Sequence, residues 1–345
     1  MNKKERVAAA IACKPADRTC YNFRAENETL EKLYRSLGVG DYDKLLDILN
    51  VDINYVNADF PPEKDMGGYY QNVWGERYIY KQTEYGPVRE DMAGALSEAE
   101  TLRDLESFRW PLNDEIDYSH LSEKIDRHPD MAVYYGSADI WQRPGLVRGM
   151  ENFLLDLVNG PEMCHYLSNV FAEFYIEDYR RAQEAAGGRI NIFHLGSDLG
   201  SQLAPLISRD MLLEFVLPYI RRFSDFVHGS LNGKLFFHTC GMVYPYIGDL
   251  IDAGVDILDP IQPCAKEMQP ENLAKEFGGA VCFHGGLDIQ HLLPFGKPQD
   301  VRDTVRRYAD CFKDGGYICA ASHYLQADIP VENILAMYEE ISEGL

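Results

Sequence analysis

His238 and Cys240 stand two residues apart in the segment Phe237-His238-Thr239-Cys240-Gly241. In extended backbone, positions i and i+2 point to one face, so an imidazole and a thiol aim at one point. Two such groups are half of a zinc site, and a catalytic zinc takes three protein ligands and keeps one position open. The third ligand must come from elsewhere in the chain. His323 is the candidate, with Cys319 as the fallback. The alternative is a hydrogen-bonded histidine beside an inert buried thiol. Asp198, in Ser197-Asp198-Leu199-Gly200-Ser201-Gln202, would orient a ligand histidine or hold a substrate proton; equally, it would turn a loop or cap a helix. Asp288 follows Gly285-Gly286, glycines that let backbone approach a ligand closely or simply make a turn. No G-x-S-x-G elbow, C-x-x-C pair, phosphate loop or dinucleotide fingerprint is present.

These residues need elements to hold them. Short β-rich runs alternate with helical runs, which argues for a parallel sheet. Eight candidate strands fall at 18–23, 51–56, 131–136, 189–194, 234–238, 255–259, 280–284 and 316–320. Between most of them lie amphipathic stretches. In the run from Met211 to Val227, for example, Leu212, Phe215, Val216, Tyr219, Ile220 and Phe223 recur at helical spacing, with Ser208 as N-cap. Eight strands with intervening helices make an α/β protein of the (β/α)8 TIM-barrel class, and in that fold chemistry is built at the carboxyl ends of the strands. His194, His238, His284 and His323 all fall at or just past such ends. Residues 59–112 break the alternation with an aromatic, Gly/Pro-interrupted stretch, read as a flap inserted after strand two. The whole of 1–345 is read as one domain.

Composition removes other classes. The chain has 345 residues, is 46% hydrophobic and 26% charged, and carries 33 Lys and Arg against 55 Asp and Glu, a net charge of −22. Its longest basic runs are pairs, so nucleic acid and anionic membranes are not expected partners. No run of ~18 apolar residues exists to span a bilayer. Met1 to Cys13 imitates a signal peptide, but Glu5 interrupts the basic end and an N-terminal helix is the reading. The eight cysteines form no dense framework, and several sit in apolar strand-like runs. They are read as reduced, which implies a cytoplasmic location. A homodimer is the expected assembly.

The chain resembles the uroporphyrinogen decarboxylase superfamily, and within it the corrinoid-linked methyltransferase branch of the methylcobamide:coenzyme M type. The likeness runs from Lys4-Glu5-Arg6-Val7 and Pro15-Ala16-Asp17-Arg18 through Arg148-Gly149-Met150-Glu151-Asn152 and Asp198-Leu199-Gly200-Ser201-Gln202. It is strongest from Phe237-His238-Thr239-Cys240-Gly241 through Phe283-His284-Gly285-Gly286-Leu287-Asp288 to Ile329-Pro330-Val331-Glu332-Asn333-Ile334. The resemblance implies a TIM barrel and a zinc ion on His238 and Cys240. It puts the third ligand, a cysteine in those methyltransferases, at His323. That departure makes the metal less thiolate-rich and more electrophilic. A methylcobamide cofactor would arrive on a separate corrinoid protein, and a thiol or tetrahydrofolate would accept the methyl group. On this reading Asp198 and His284 serve catalysis, and Arg24, Arg148, Gln202 and Asp288 bind substrate. The first rival is porphyrin decarboxylation, with Arg24, Arg148 and Asp59 on the substrate's carboxylates and pyrroles. Against it, the stretch after strand one, Tyr21 to Glu28, holds one arginine and two glutamates where the decarboxylase is arginine-rich. The second rival is a non-catalytic partner of corrinoid proteins on the same scaffold.

Overall fold

The structure, a computed structural model, describes residues 1–83 and 86–342. Eight parallel strands form the barrel: β1 (Cys20–Tyr21), β2 (Ile53–Val56), β3 (Ala132–Asp139), β4 (Ile192–Gly196), β5 (Lys234–His238), β6 (Ile257–Ile261), β7 (Cys282–Leu287) and β8 (Tyr317–Ala321). Each overlaps one of the eight runs expected from the sequence. Their order is β1-β8-β7-β6-β5-β4-β3-β2, each hydrogen-bonded to the next. The sheet nearly closes on itself, and helices surround it, as in a TIM barrel.

The seam between β1 and β2 is bridged by one side chain. The amide of Asp52 donates to the Tyr21 carbonyl, and the amide of Tyr21 donates to Asp52 Oδ2 at 2.8 Å. Arg6 Nη1 reaches Oδ1 at 2.6 Å and Arg18 Nη1 reaches Oδ2 at 2.8 Å. Arg6 comes from the helix Lys3–Ile11, capped by Asn2 and Glu5. That helix lays Val7 and Ala10 on the lower end of the barrel's interior.

Alternation along each strand builds two layers. The lower interior layer is mostly apolar, with Cys20, Ile53, Ala132, Tyr134, Ile192, Phe236, Ile257, Cys282 and Ile318 in one cluster. Two residues further along, on the same face, stand Tyr55, His194, His238, Asp259 and His284. The residues between them, such as Phe193, Phe237, Leu258, Phe283 and Cys319, join the larger core that packs against the helices.

The run expected as one helix over 211–227 contains a wider turn. Its α-helical start, Arg209–Met211, passes through a π-helical segment, Leu212–Val216, before α-helix resumes over Leu217–Ser230. Pro218 lacks an N–H and its ring would press on the carbonyl four residues back, so a π-bulge just upstream relieves both problems. Ser208 caps the start through Met211 N, as expected.

After β2 the chain leaves the barrel to form a four-stranded antiparallel sheet, Lys64–Asp65, Tyr70–Gln71, Arg77–Thr83 and Gly86–Asp91. Its strand tyrosines Tyr70, Tyr78 and Tyr80 pack on one another, with ring centroids 5.3–6.3 Å apart. Trp74, 2% exposed, packs on Phe171, Phe174 and Tyr175 of the helix Pro161–Ala185. Among the described residues no helix is long and apolar enough to cross a membrane.

That same helix buries Asp178, whose Oδ1 accepts from Tyr118 and Tyr135 at 2.8 and 2.9 Å. Burial pushes its carboxyl up from 3.8 to about 7, against the pull of the two tyrosines. A carboxyl raised on folding contributes stability below its unfolded value and loses it as pH rises through the folded one. The loss between pH 4 and pH 7 is up to ~4 kcal/mol, at ~1.4 kcal/mol per tenfold in proton affinity. Asp178→Asn keeps the acceptor and removes the charge. Urea unfolding should find this variant level with the parent at pH 4 and more stable above pH 7. Equal stability of the two at pH 8 would contradict the assignment.

Candidate metal centre

His238 ends β5, and the tight turn after it returns Cys240 to the same side. Cys240 Sγ lies 3.5 Å from His238 Nε2. His323, in the loop after β8, crosses the barrel mouth to meet them, and one donor atom from each of the three lies within 4.8 Å of the others. The rings of His238 and His323 are 5.8 Å apart and inclined at 68°. Tetrahedral zinc with bonds of ~2.0–2.3 Å sets its ligand atoms roughly 3.5 Å apart. The His238–Cys240 separation already has that value, so the donor set fits zinc in type and number, and this pair fits it in spacing. The fallback ligand does not fit. Cys319 is fully buried and its side chain belongs to the core between strands and helices. A residue at an odd position in β8 faces outward, and burial lifts its thiol to about 12.

Behind His238 stands a residue to which the sequence reading gave no role. Asp259 pairs with His238 across β5 and β6 and is 0% exposed. Its Oδ2 accepts from His238 Nδ1 at 2.5 Å, and its Oδ1 from His284 Nδ1 at 2.5 Å. Arg24 Nη2 donates to both oxygens, at 2.8 and 3.0 Å. An ionised carboxylate only accepts, so both imidazoles carry their proton on Nδ1. Nε2 is therefore the His238 nitrogen that faces the mouth, and it would ligate an ion once its proton is displaced. Burial alone would lower the His238 imidazole, but its bonds to Asp259 and Cys240 outweigh that and raise it to about 10. Burial lowers His323 to about 4, helped by the charge on His238. Burial raises the Cys240 thiol despite His238.

Asp198 holds the Cys240 loop. Its Oδ1 accepts the Cys240 amide at 2.8 Å and lies 3.7 Å from His238 Nε2, while its Oδ2 accepts from Gln142 Nε2 at 3.0 Å. The loops around Gly200 and Gly241 touch backbone to backbone. A Cβ on Gly241, where φ is +88°, would stand 2.3 Å from the Gly200 carbonyl oxygen.

The other expected site residues are scattered. His284 is 0% exposed, with Asn22 Nδ2 donating to its Nε2 at 2.9 Å, so it acts through Asp259 and has no open face. Arg24 stays near the centre but is committed to Asp259. Arg148 lies elsewhere, bonded to Asp156 at 2.7 Å and to the Leu96 and Ser97 carbonyls. Gln202 is exposed and donates to Gln290. Asp288 accepts amides of Gln290, His291 and Leu292, the turn-making alternative. Asp59 is exposed, bridged by backbone to Asp117, and 3.3 Å from Lys124.

Residues 144–344 match the family model described as uroporphyrinogen decarboxylase (URO-D). The chain belongs to this family. No curated protein matches it in sequence. Among solved structures, it is similar to a methyltransferase from Methanosarcina mazei, at 14% identity and TM-score 0.69, over 99% of each chain. A B12-independent methionine synthase from Shewanella sp. W3-18-1, in complex with selenomethionine, superposes at 11% identity and TM-score 0.48, over 96% of this chain and 93% of that one. At 14% identity the likeness to the Methanosarcina mazei structure shows the fold.

Proposed function

We propose that this member of the URO-D family is a zinc-dependent methyltransferase that moves a methyl group from a methylcorrinoid protein to a thiol or tetrahydrofolate acceptor. The observation that carries the reading is the convergence of His238, Cys240 and His323 at the barrel mouth, with Asp259 behind His238. These three residues would hold the ion and leave its fourth position to the acceptor. Zinc bound there supplies Lewis acidity, lowering the proton affinity of a thiol or assisting at the pterin nitrogen.

The chain's own groups do the rest. Asp259 locks the His238 ring and its tautomer, and His284 and Arg24 hold Asp259 in turn. Asp198 fixes the Cys240 amide and would receive the acceptor's proton. Porphyrin decarboxylation is less well supported. A tetrapyrrole polyanion calls for arginines with open forks, whereas Arg24 and Arg148 are each paired with a carboxylate.

Metal analysis of the purified protein tests the reading. About one zinc per chain is expected, falling below ~0.2 in His238→Ala and Cys240→Ala. Methylcobalamin, as a free methyl donor, should then methylate a small thiol or tetrahydrofolate with the parent protein only. Less than ~0.2 zinc in the parent, unchanged by His238→Ala, would remove the proposal.

A further inference from the structure

Gln142 and Arg143 begin the helix Gln142–Arg148, and they serve different places. Gln142 reaches Asp198 and the metal centre. Arg143 lines a separate cavity of about 310 Å3, set where β2 and β3 end, beside the first turns of the inserted sheet. Its floor is aromatic. Trp74 and Tyr175 are buried, with ring centroids 5.4 Å apart. Phe60 closes one side, and the exposed Asn57 and Ser137 stand at the rim.

Arg143 gives this cavity its polarity. Its side chain is 25% exposed, its Nη1 lies 3.2 Å from Glu76 Oε1, and its guanidinium lies 6.0 Å from the Trp74 ring centroid. Arg143 Nε is buried without a hydrogen-bond partner. Glu76 also receives Arg89 Nη2 at 2.9 Å, while Arg89 Nε is held by Asp91 at 2.7 Å, so Glu76 is divided between two arginines, of which Arg89 has a second carboxylate. The nearby Asp139 carboxylate is turned toward backbone, where Oδ1 accepts the amides of Trp141 and Arg143. A cavity of this size, with flat aromatic walls and one under-satisfied planar fork, suits a flat ligand that carries an acid.

We propose that this cavity binds a planar aromatic or heteroaromatic carboxylate, its ring against Trp74 and Phe60 and its carboxylate on Arg143. The proposal goes beyond the methyl-transfer reading and does not depend on it.

Calorimetric titration of the full chain with benzoate, benzamide and cyclohexanecarboxylate tests it. Benzoate should bind with a Kd at or below about 1 mM. Benzamide, which lacks the charge, and cyclohexanecarboxylate, which lacks the flat ring, should each bind at least ~10-fold more weakly. Arg143→Gln should lose benzoate to a similar extent. If that variant does not fold, Ser137→Leu carries the test, because it fills the rim and leaves the Arg143–Glu76 pair intact. It should abolish benzoate binding with zinc content unchanged. Equal affinity for benzoate and benzamide, benzoate binding retained in Ser137→Leu, or no heat at about 10 mM benzoate would overturn the proposal.

Discussion

Asp259→Asn is expected to destabilise the protein by ~3–5 kcal/mol, the cost of leaving a buried charge without its partner. Asp259 is fully buried and receives Arg24, His238 and His284 together. Burial pushes its carboxyl up, yet Arg24 and the two imidazoles together hold it well below the usual carboxylate range. An asparagine of the same shape keeps one carbonyl oxygen but presents an NH2 where a second donor arrives. Arg24 is then left with no counter-charge among these contacts. For a domain whose total stability is ~5–15 kcal/mol, that is a large share. Zinc affinity should fall in the same variant, by ~10–100-fold, because His238 loses the partner that fixes its ring. Urea unfolding of the metal-free protein and zinc competition against a chelator give the two numbers separately. A variant within ~1 kcal/mol of the parent, binding zinc as tightly, would mean that the carboxylate is not ionised as described.

Asp52→Ala should be comparably damaging to stability, at ~3–5 kcal/mol, and should leave the zinc site's affinity unchanged. Asp52 is 0% exposed and joins Arg6, Arg18 and the Tyr21 amide at the one place where neighbouring barrel strands share no ladder. Alanine removes a counter-charge from two arginines and an acceptor from a backbone amide. Asp17 still holds Arg6 at 2.7 Å, so Arg18 carries most of the damage. Unfolding curves for Asp52→Ala and for the double variant with Arg18→Met separate the terms. The second change should recover part of the loss, since it removes the orphaned charge. A double variant that is less stable than Asp52→Ala would argue against this account of the seam.

The barrel was legible because strand periodicity is local. Apolar runs such as Ala280 to His284 announce a strand within five residues, and the i, i+2 rule put His238 and Cys240 on one face without any tertiary knowledge. Asp259 was legible in principle by the same rule. It follows Ile257 as His238 follows Phe236, one layer above the apolar plug. Its partners were not, because Arg24 is 235 residues away in the chain and no local pattern encodes that pairing. Arg148 shows the converse. An arginine in a familiar motif invites a binding role, but its guanidinium is consumed by Asp156 and two carbonyls. Cys319 could be separated from His323 only by knowing which residues of β8 face outward. The π-helical turn before Pro218 needed no long-range information, since the proline itself forbids regular helix there.

The contact between Gly200 and Gly241 constrains how this centre could be re-engineered. Neither position has room for a side-chain carbon, and the two loops lock as one piece, so a graft of either loop alone from a relative would wedge its twin apart. Altering which ion the mouth prefers is therefore a matter of exchanging single donor atoms at 240 or 323 on an unchanged main chain, and the pair of glycines must travel together in any larger transplant.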